Sequence, residues 1–454
     1  MSPAEAAELV ERIWARDASV WTGRDEARWL GWLDEPSRYP RDQMQEELAK
    51  LRELDVSSCV LLGMGGSSLA PEVMRRSLGT DSFHVLDSTH PAAVRALEKR
   101  VDPDDTLFVV SSKSGTTLET RCHLDYFWRK GRSFAAVTDP GSELEALGRE
   151  RGFSAVIWGE PTIGGRYSAL SPFGLVPGAL MGLDLEQLME GATEMQEACR
   201  TERNPGLELG LALGHAWLEG RDKVVVPEAN GFGLWLEQLL AESTGKEGKG
   251  LVPAPGESPE GADRQQREVR MDSVRDLGAD FYRWEFATAV AGTILEINPF
   301  DQPNVQEAKD RTLEVLSGQG RGPDPGTRSE GTGALEELLS GAQPGDYIAV
   351  LAFIDPAREA ELKPLVERAR ATGCVVTSGL GPRYLHSTGQ LHKGGPPTGR
   401  FVQVVDEPAE ELSIPDRPFG FRTLIAAQAE GDLAALAERG RPIVRVTLDD
   451  VEAL

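Results

Sequence analysis

The sequence predicts an α/β protein made of two doubly wound domains with mainly parallel sheets flanked by helices. Three observations carry this. From residue 56 to 157, five short apolar runs alternate with helical patterns, the rhythm of parallel strands covered on both faces. Two of those runs end in ligand-ready turns, LLGMGGSSLAP at 61–71 and LFVVSSKSGTTLET at 107–120. The same alternation resumes near Asn204 and again after residue 332.

Taken in order, residues 3–20 form an amphipathic helix candidate, with Leu9, Ile13, Trp14 and Val20 near one face. Trp21, Trp29 and Trp32 follow and are expected to clamp this leader onto the body, and 42–54 reads as a second helix. Strands are expected at 59–62, 83–86, 107–111, 134–137 and 155–157, with helices at 72–78, 92–100, 118–130 and 142–151. A Gly-Gly-Arg-Tyr-Ser turn at 164–168 leads into a mostly helical run to Arg200.

The second unit opens with a helix at 207–218, a strand at 223–226 and a helix at 232–241 that ends near Glu242. A strand at 250–253, a polar loop at 255–266, and helices at 279–298 and 304–316 follow. Gly, Pro and charge make 317–332 the expected linker. Beyond it, strands are predicted at 347–353, 374–377, 401–405 and 443–446, and helices at 357–369 and 421–439. Between them lies a long Gly- and Pro-rich loop, 379–400, of the kind that is often functional inside a compact domain. The domain division is therefore a helical leader (1–55), a first α/β domain (56–202), a second (203–316), the linker (317–332) and a C-terminal portion (333–454) completing the second domain.

Composition narrows the function. A net charge of −25 over 454 residues argues against nucleic acid or an anionic membrane as partner. An anionic substrate would need locally placed Lys and Arg. Four scattered cysteines, Cys59, Cys122, Cys199 and Cys374, have no metal or disulfide spacing. No apolar run approaches the roughly 18 residues of a membrane span, so a cytoplasmic protein is the expectation. Neither an organic cofactor nor a metal is indicated.

The two turns suggest an anion crevice at the strand ends. Glycines allow close backbone approach, and the free N–H groups of a following helix point at the ligand. Hydroxyls at Ser111, Ser112, Ser114, Thr116 and Thr117 can donate to phosphate oxygens, and Lys113 adds a point charge. A small phosphate ester is the anion this suits. Reacting groups in loops or at element ends are Glu242, Arg166, Lys309, His386 and His392. For any lone Glu or Lys a solvated surface charge is the commoner reading. Glu242 differs because an apolar helix precedes it, a position that desolvates a carboxylate and tunes it toward a general base. Gln238, four residues earlier, shares its helix face. The two loop histidines are read as structural, metal-linked or acid–base.

Together the segments GMGGSSLAP, SSKSGTTLET, GGRYS, EQLLAESTGK and NPFDQPNVQEAK, in this order over roughly 270 residues, resemble the glucose-6-phosphate isomerase family and its sugar-isomerase domains. The chain is most similar to the isomerase half of bifunctional transaldolase/glucose-6-phosphate isomerase proteins, including WARDASVWTG near the start and GPRYLHSTGQLHKGG near the end. It is too short to hold a transaldolase barrel as well.

The resemblance implies roles. Ser112, Lys113, Ser114 and Thr117 would hold the sugar phosphate, and Gly66 and Ser67 would line the same pocket. Glu242 would move a proton between C1 and C2 through an enediolate, Arg166 would stabilise that anion, and Gln238 would contact the sugar. Lys309 would assist ring opening. Family members carry a ring-opening histidine between the base and the NxFDQ segment, but this chain has none between Glu242 and Lys309. The order therefore looks permuted, with His386 the expected ring-opening group, His392 the second choice, and a neighbouring subunit's cleft one place they could act. The expected reaction is interconversion of glucose 6-phosphate and fructose 6-phosphate. Alternatives are a dual phosphoglucose/phosphomannose isomerase or a non-catalytic phosphosugar-binding regulator. A homodimer is expected by the same resemblance.

Overall fold

The computed structural model describes residues 3–201, 204–317 and 331–454. Most of the expected linker lies outside the described residues, and Gly331 already starts the helix Gly331–Ser340.

The first sheet contains β1 (Ser58–Gly63), β2 (Phe83–Leu86), β3 (Thr106–Ser111), β4 (Ser133–Thr138) and β5 (Ala155–Trp158). All four pairings are parallel, in the order β2-β1-β3-β4-β5. β1 and β3 are apolar on both faces because helices cover both sides, which is why they read as continuous hydrophobic runs. The order reverses between β1 and β3, whose ends lie side by side, Gly63 opposite Ser111. Chain leaving β1 and chain leaving β3 turn to opposite sides there. A crevice opens at the carboxyl ends of these strands, where such sheets bind ligands.

The second unit holds β6 (Lys223–Val225), β7 (Val252–Pro253) and β8 (Arg264–Gln266), all parallel, with β6 central. β8 falls in the stretch expected to be loop. Its three residues are polar, and the buried Gln265 amide is satisfied by Arg221 O, to which its Nε2 donates at 2.6 Å, and by Arg267 Nη2, from which its Oε1 accepts at 2.7 Å, contacts that no apolar pattern announces. The last unit is a four-stranded parallel sheet of β9 (Tyr347–Phe353), β10 (Val375–Leu380), β11 (Gly399–Val405) and β12 (Ile443–Thr447), ordered β10-β9-β11-β12. It shares one core with the second unit: Tyr347, Ala349 and Leu351 pack with Val225, Ala241, Val252 and Ala254.

Other differences have local causes. The leader helix stops at Trp14, and Arg16 adopts φ 59°. Trp14 Nε1 donates to Cys199 O at 3.1 Å and Trp21 Nε1 to Ala289 O at 2.8 Å, while Trp32 stacks on Tyr167. The expected helix at 357–369 is a 3-10 segment Pro356–Leu362 followed by an α-helix Lys363–Arg370, with Pro364 in its first turn. The loop at 379–400 folds into a 3-10 turn, Arg383–His386, and a short helix, Gly389–Gly394. The helix Phe421–Glu438 lies against Val305–Leu316.

Candidate active site

Several segments converge on the crevice. After β1, Gly65 takes φ 55° in the 3-10 turn Gly65–Ser67, which leads into the helix Leu69–Leu78. Gly66 is demanded by packing: a Cβ there would lie 2.1 Å from Gly165 O. The missing side chain lets the Arg166 turn, Gly165–Tyr167, sit directly on the first glycine turn. Ser67 is buried beside it.

After β3 the hydroxyl loop closes on itself. Ser112 Oγ and Thr117 Oγ1 are 3.1 Å apart, and Ser112 Oγ accepts from Gly115 N at 3.1 Å. Ser114 Oγ meets Thr116 Oγ1 at 2.8 Å. Lys113, expected on the phosphate, is instead ion-paired with Asp139 and donates to Glu160 O at 3.1 Å. Asp139 ends up there because β4 runs parallel beside β3 and delivers its own C-terminal loop to the lysine.

The helix Phe232–Thr244 supplies Gln238 and Glu242. Gln238 Nε2 donates to Glu242 Oε2 at 3.0 Å and to His386 O at 2.8 Å, while its Oε1 is buried without a hydrogen-bond partner. Gln238 thus ties the carboxylate to the histidine turn. Arg166, 1% exposed, brings Nη1 within 3.4 Å of Glu242 Oε1. Most of its donors are committed elsewhere. Nε donates to Ser243 Oγ at 2.8 Å, Nη1 to Gln302 Oε1 at 2.9 Å, and Nη2 to Pro299 O at 2.8 Å and Asp301 O at 2.9 Å. Arg166 therefore fastens the Asn-Pro-Phe-Asp-Gln turn to the helix Phe232–Thr244 and places a buried positive charge beside Glu242. Lys246 grips the same turn through Asn298 O at 2.7 Å and Asp301 Oδ1 at 2.7 Å. Burial and the nearby Arg166 charge bring its ammonium down to about 8.

The His386 ring reaches the hydroxyl-loop side of the crevice. His386 Nε2 lies 3.0 Å from Glu119 Oε1, two residues past Thr117. Burial pushes the Glu119 carboxyl up, but the His386 charge and hydrogen bond, its own backbone amide and the Lys309 ammonium outweigh it, holding the group at about 2. Lys309, exposed on Val305–Leu316, thus shares this corner. All these contacts are made within one chain, so the histidine turn needs no second subunit to reach this crevice.

His392 is not brought to the site. The helix Gly389–Gly394 turns it into the C-terminal core, 2% exposed, with its ring 5.2 Å from that of Phe401 and 6.1 Å from that of Tyr384. Burial and the adjacent Lys393 charge hold its pKa well below the usual range. The expected substrate contact by His392 is replaced by a core role.

Sequence reasoning missed Glu119, Lys246 and Gln302, although each lies inside a quoted motif. It also missed Gln428, whose Nε2 donates to Glu119 Oε1 at 2.8 Å and which no local pattern singles out. Among the described residues no group of three or more His, Cys, Asp or Glu could hold a metal ion, and no helix is long and apolar enough to cross a membrane.

Fold and crevice together define a doubly wound α/β protein whose first-sheet strand ends carry a glycine turn and a hydroxyl loop, with a carboxylate and a histidine turn tied together beside them. Residues 53–249 match the family described as Phosphoglucose isomerase. The chain is 32% identical over 281 residues to a glucose-6-phosphate isomerase of Thermosynechococcus vestitus, covering 52% of this chain and 53% of the relative. It is 33% identical over 269 residues to that of Thermus thermophilus, covering 55% and 60%. A crystal structure of a glucose-6-phosphate isomerase from Chlamydia trachomatis shares the fold, with TM-score 0.56 and 20% identity over 74% of this chain and 87% of that one. The chain spans about half the length of the curated relatives it matches. The family segment holds Gly66, the hydroxyl loop, Glu119, Arg166, Gln238 and Glu242. Lys309, His386 and Gln428 lie beyond it.

Proposed function

We propose that this chain interconverts glucose 6-phosphate and fructose 6-phosphate by proton transfer through an enediolate. One observation carries the reading: Gln238 links a half-buried carboxylate, Glu242, to the turn of a histidine whose ring pairs with Glu119, on the helix opened by the hydroxyl loop. The phosphate sits in the Ser112–Thr117 loop, with Gly66 and Ser67 lining its entrance. His386 delivers a proton to the ring oxygen as the anomeric hydroxyl gives one up, with Lys309 beside it. Glu242 takes the C2 proton of the open aldose and returns it to C1. Charge on the enediolate oxygens is met by Arg166, which costs no reorganisation because its other donors already fix it. The unpartnered Gln238 Oε1 accepts from a sugar hydroxyl.

The test is a coupled assay of fructose 6-phosphate conversion by the purified chain, with NADP reduction by glucose-6-phosphate dehydrogenase as readout. Turnover well above a Glu242→Gln control supports the reading. Binding of the sugar phosphate without turnover would make the chain a sensor instead.

A further inference from the structure

We propose that Gln428, on the C-terminal helix Phe421–Glu438, is a positioning residue for the Glu119–His386 pair, with its own amide set by Thr89. The inference rests on the proposed isomerase reading and extends it to Gln428, outside the matched segment, and to Thr89 within it.

Thr89, fully buried in the loop after β2, donates from Oγ1 to Gln428 Oε1 at 2.6 Å. That hydroxyl fixes which end of the amide points where. Gln428, 2% exposed, then presents Nε2 to Glu119 Oε1 at 2.8 Å. The same carboxylate oxygen meets His386 Nε2 at 3.0 Å. A buried carboxylate is acceptor-only and needs donors. Gln428 supplies a neutral one. It satisfies the carboxylate without competing for its charge, and it holds the oxygen where the imidazole meets it. A cationic residue there would neutralise Glu119 and weaken its hold on the imidazolium. A carboxyl there would place two acids on one proton.

The titratable and charged groups that face Glu119 are His386 from its turn, Lys309 from Val305–Leu316, and His123 and Cys122 from Glu119's own helix. His123 is committed to Ser88 O at 3.0 Å, and burial holds it at about 4 and Cys122 at about 12. Neither titrates in the range where an imidazole ordinarily does. A pH effect from changing Gln428 is therefore read through His386.

The test uses the full chain and three variants: Gln428→Met, Gln428→Glu and the near-isosteric Thr89→Val. Gln428→Met should lower kcat on ring-closed glucose 6-phosphate roughly tenfold, the loss expected for one hydrogen bond to a charged group. It should leave C2 proton exchange of 4,5-dideoxyglucose 6-phosphate, which cannot close a ring, within about twofold of wild type. Thr89→Val should show a smaller loss of the same kind, and the double variant should be no worse than Gln428→Met alone.

A second readout does not depend on turnover. The ¹⁵N shifts of the His386 ring should titrate about one unit higher in Gln428→Glu, and higher in Gln428→Met as well, because Glu119 loses a donor and holds the imidazolium more tightly. An unmoved His386 midpoint in folded variants overturns the proposal. So do equal losses on both substrates, or losses that add in full for Thr89 and Gln428. If the wild-type chain fails to isomerise but the midpoint moves as stated, the isomerase reading fails and the positioning role stands. Should Gln428→Met fail to fold, Thr89→Val with the ¹⁵N titration decides the question by the same criteria.

Discussion

Replacing Glu242 by Gln tests the base directly. The side chain is 12% exposed, with Oε2 accepting from Gln238 and Oε1 3.4 Å from Arg166 Nη1. Gln keeps the volume and one acceptor oxygen for Gln238. What it removes is the negative charge beside Arg166. That guanidinium still has Ser243, Gln302, Pro299 and Asp301 as acceptors, so it is not left without partners. The structural cost should stay near that of one weakened charged contact, about 1–3 kcal/mol. The chemical cost is larger. A general base contributes about 10²–10⁴-fold, or roughly 3–5 kcal/mol of barrier. Two measurements separate these effects. Thermal unfolding reports the first, and exchange of the C2 proton of glucose 6-phosphate with solvent deuterium, followed by NMR, reports the second. The Glu242→Gln variant should remain folded at the assay temperature and lose at least a hundredfold in both exchange and kcat. Exchange at the wild-type rate in a folded Glu242→Gln variant would refute the assignment and move the base elsewhere in the crevice.

The hydroxyl loop and the buried acid give two further expectations. Ser112→Ala with Thr117→Ala should raise KM roughly ten- to hundredfold, since each hydrogen bond to a charged phosphate contributes about 1.5–3 kcal/mol; an unchanged KM in the double variant would remove the loop from phosphate binding. Glu119 has its carboxyl depressed to about 2 from an ordinary 4.5, so its stabilising contribution is complete above pH 4.5 and is lost as pH falls toward 2. In denaturant unfolding, Glu119→Gln should therefore be less stable than wild type at pH 6, by an amount of order 3 kcal/mol, and that gap should narrow as pH falls from 4.5 toward 2. A gap that is constant with pH would show that Glu119 carries no such ionic contribution.

The sequence by itself determined the local parts. Apolar runs such as Cys59–Leu62 and Leu107–Ser111 announce strands buried on both faces, and the glycine and hydroxyl turns that end them announce an anion crevice. Gln238 and Glu242 share a helix face by spacing alone. These signals are legible because they rest on short-range rules: strand burial, turn chemistry and helical periodicity. Lys113 is read from its place in the hydroxyl loop and His386 and His392 from their place in the long Gly-rich loop, while the role given to Lys309 comes from resemblance.

Only the tertiary structure sorted them. Lys113 looks free in sequence, yet strand pairing brings Asp139 to it from 26 residues away. His392 is six residues from His386, but a single helical turn sends one ring into an aromatic core and leaves the other beside Glu119. Arg166 is anchored by backbone carbonyls of a turn more than 130 residues downstream. Gln428 meets Glu119 across 309 residues. No local pattern encodes such contacts, because which donor finds a buried carboxylate depends on how separate helices pack. The crevice can be read from its strand ends, whereas the partners that fix each charge in it are decided by packing over long separations in the chain.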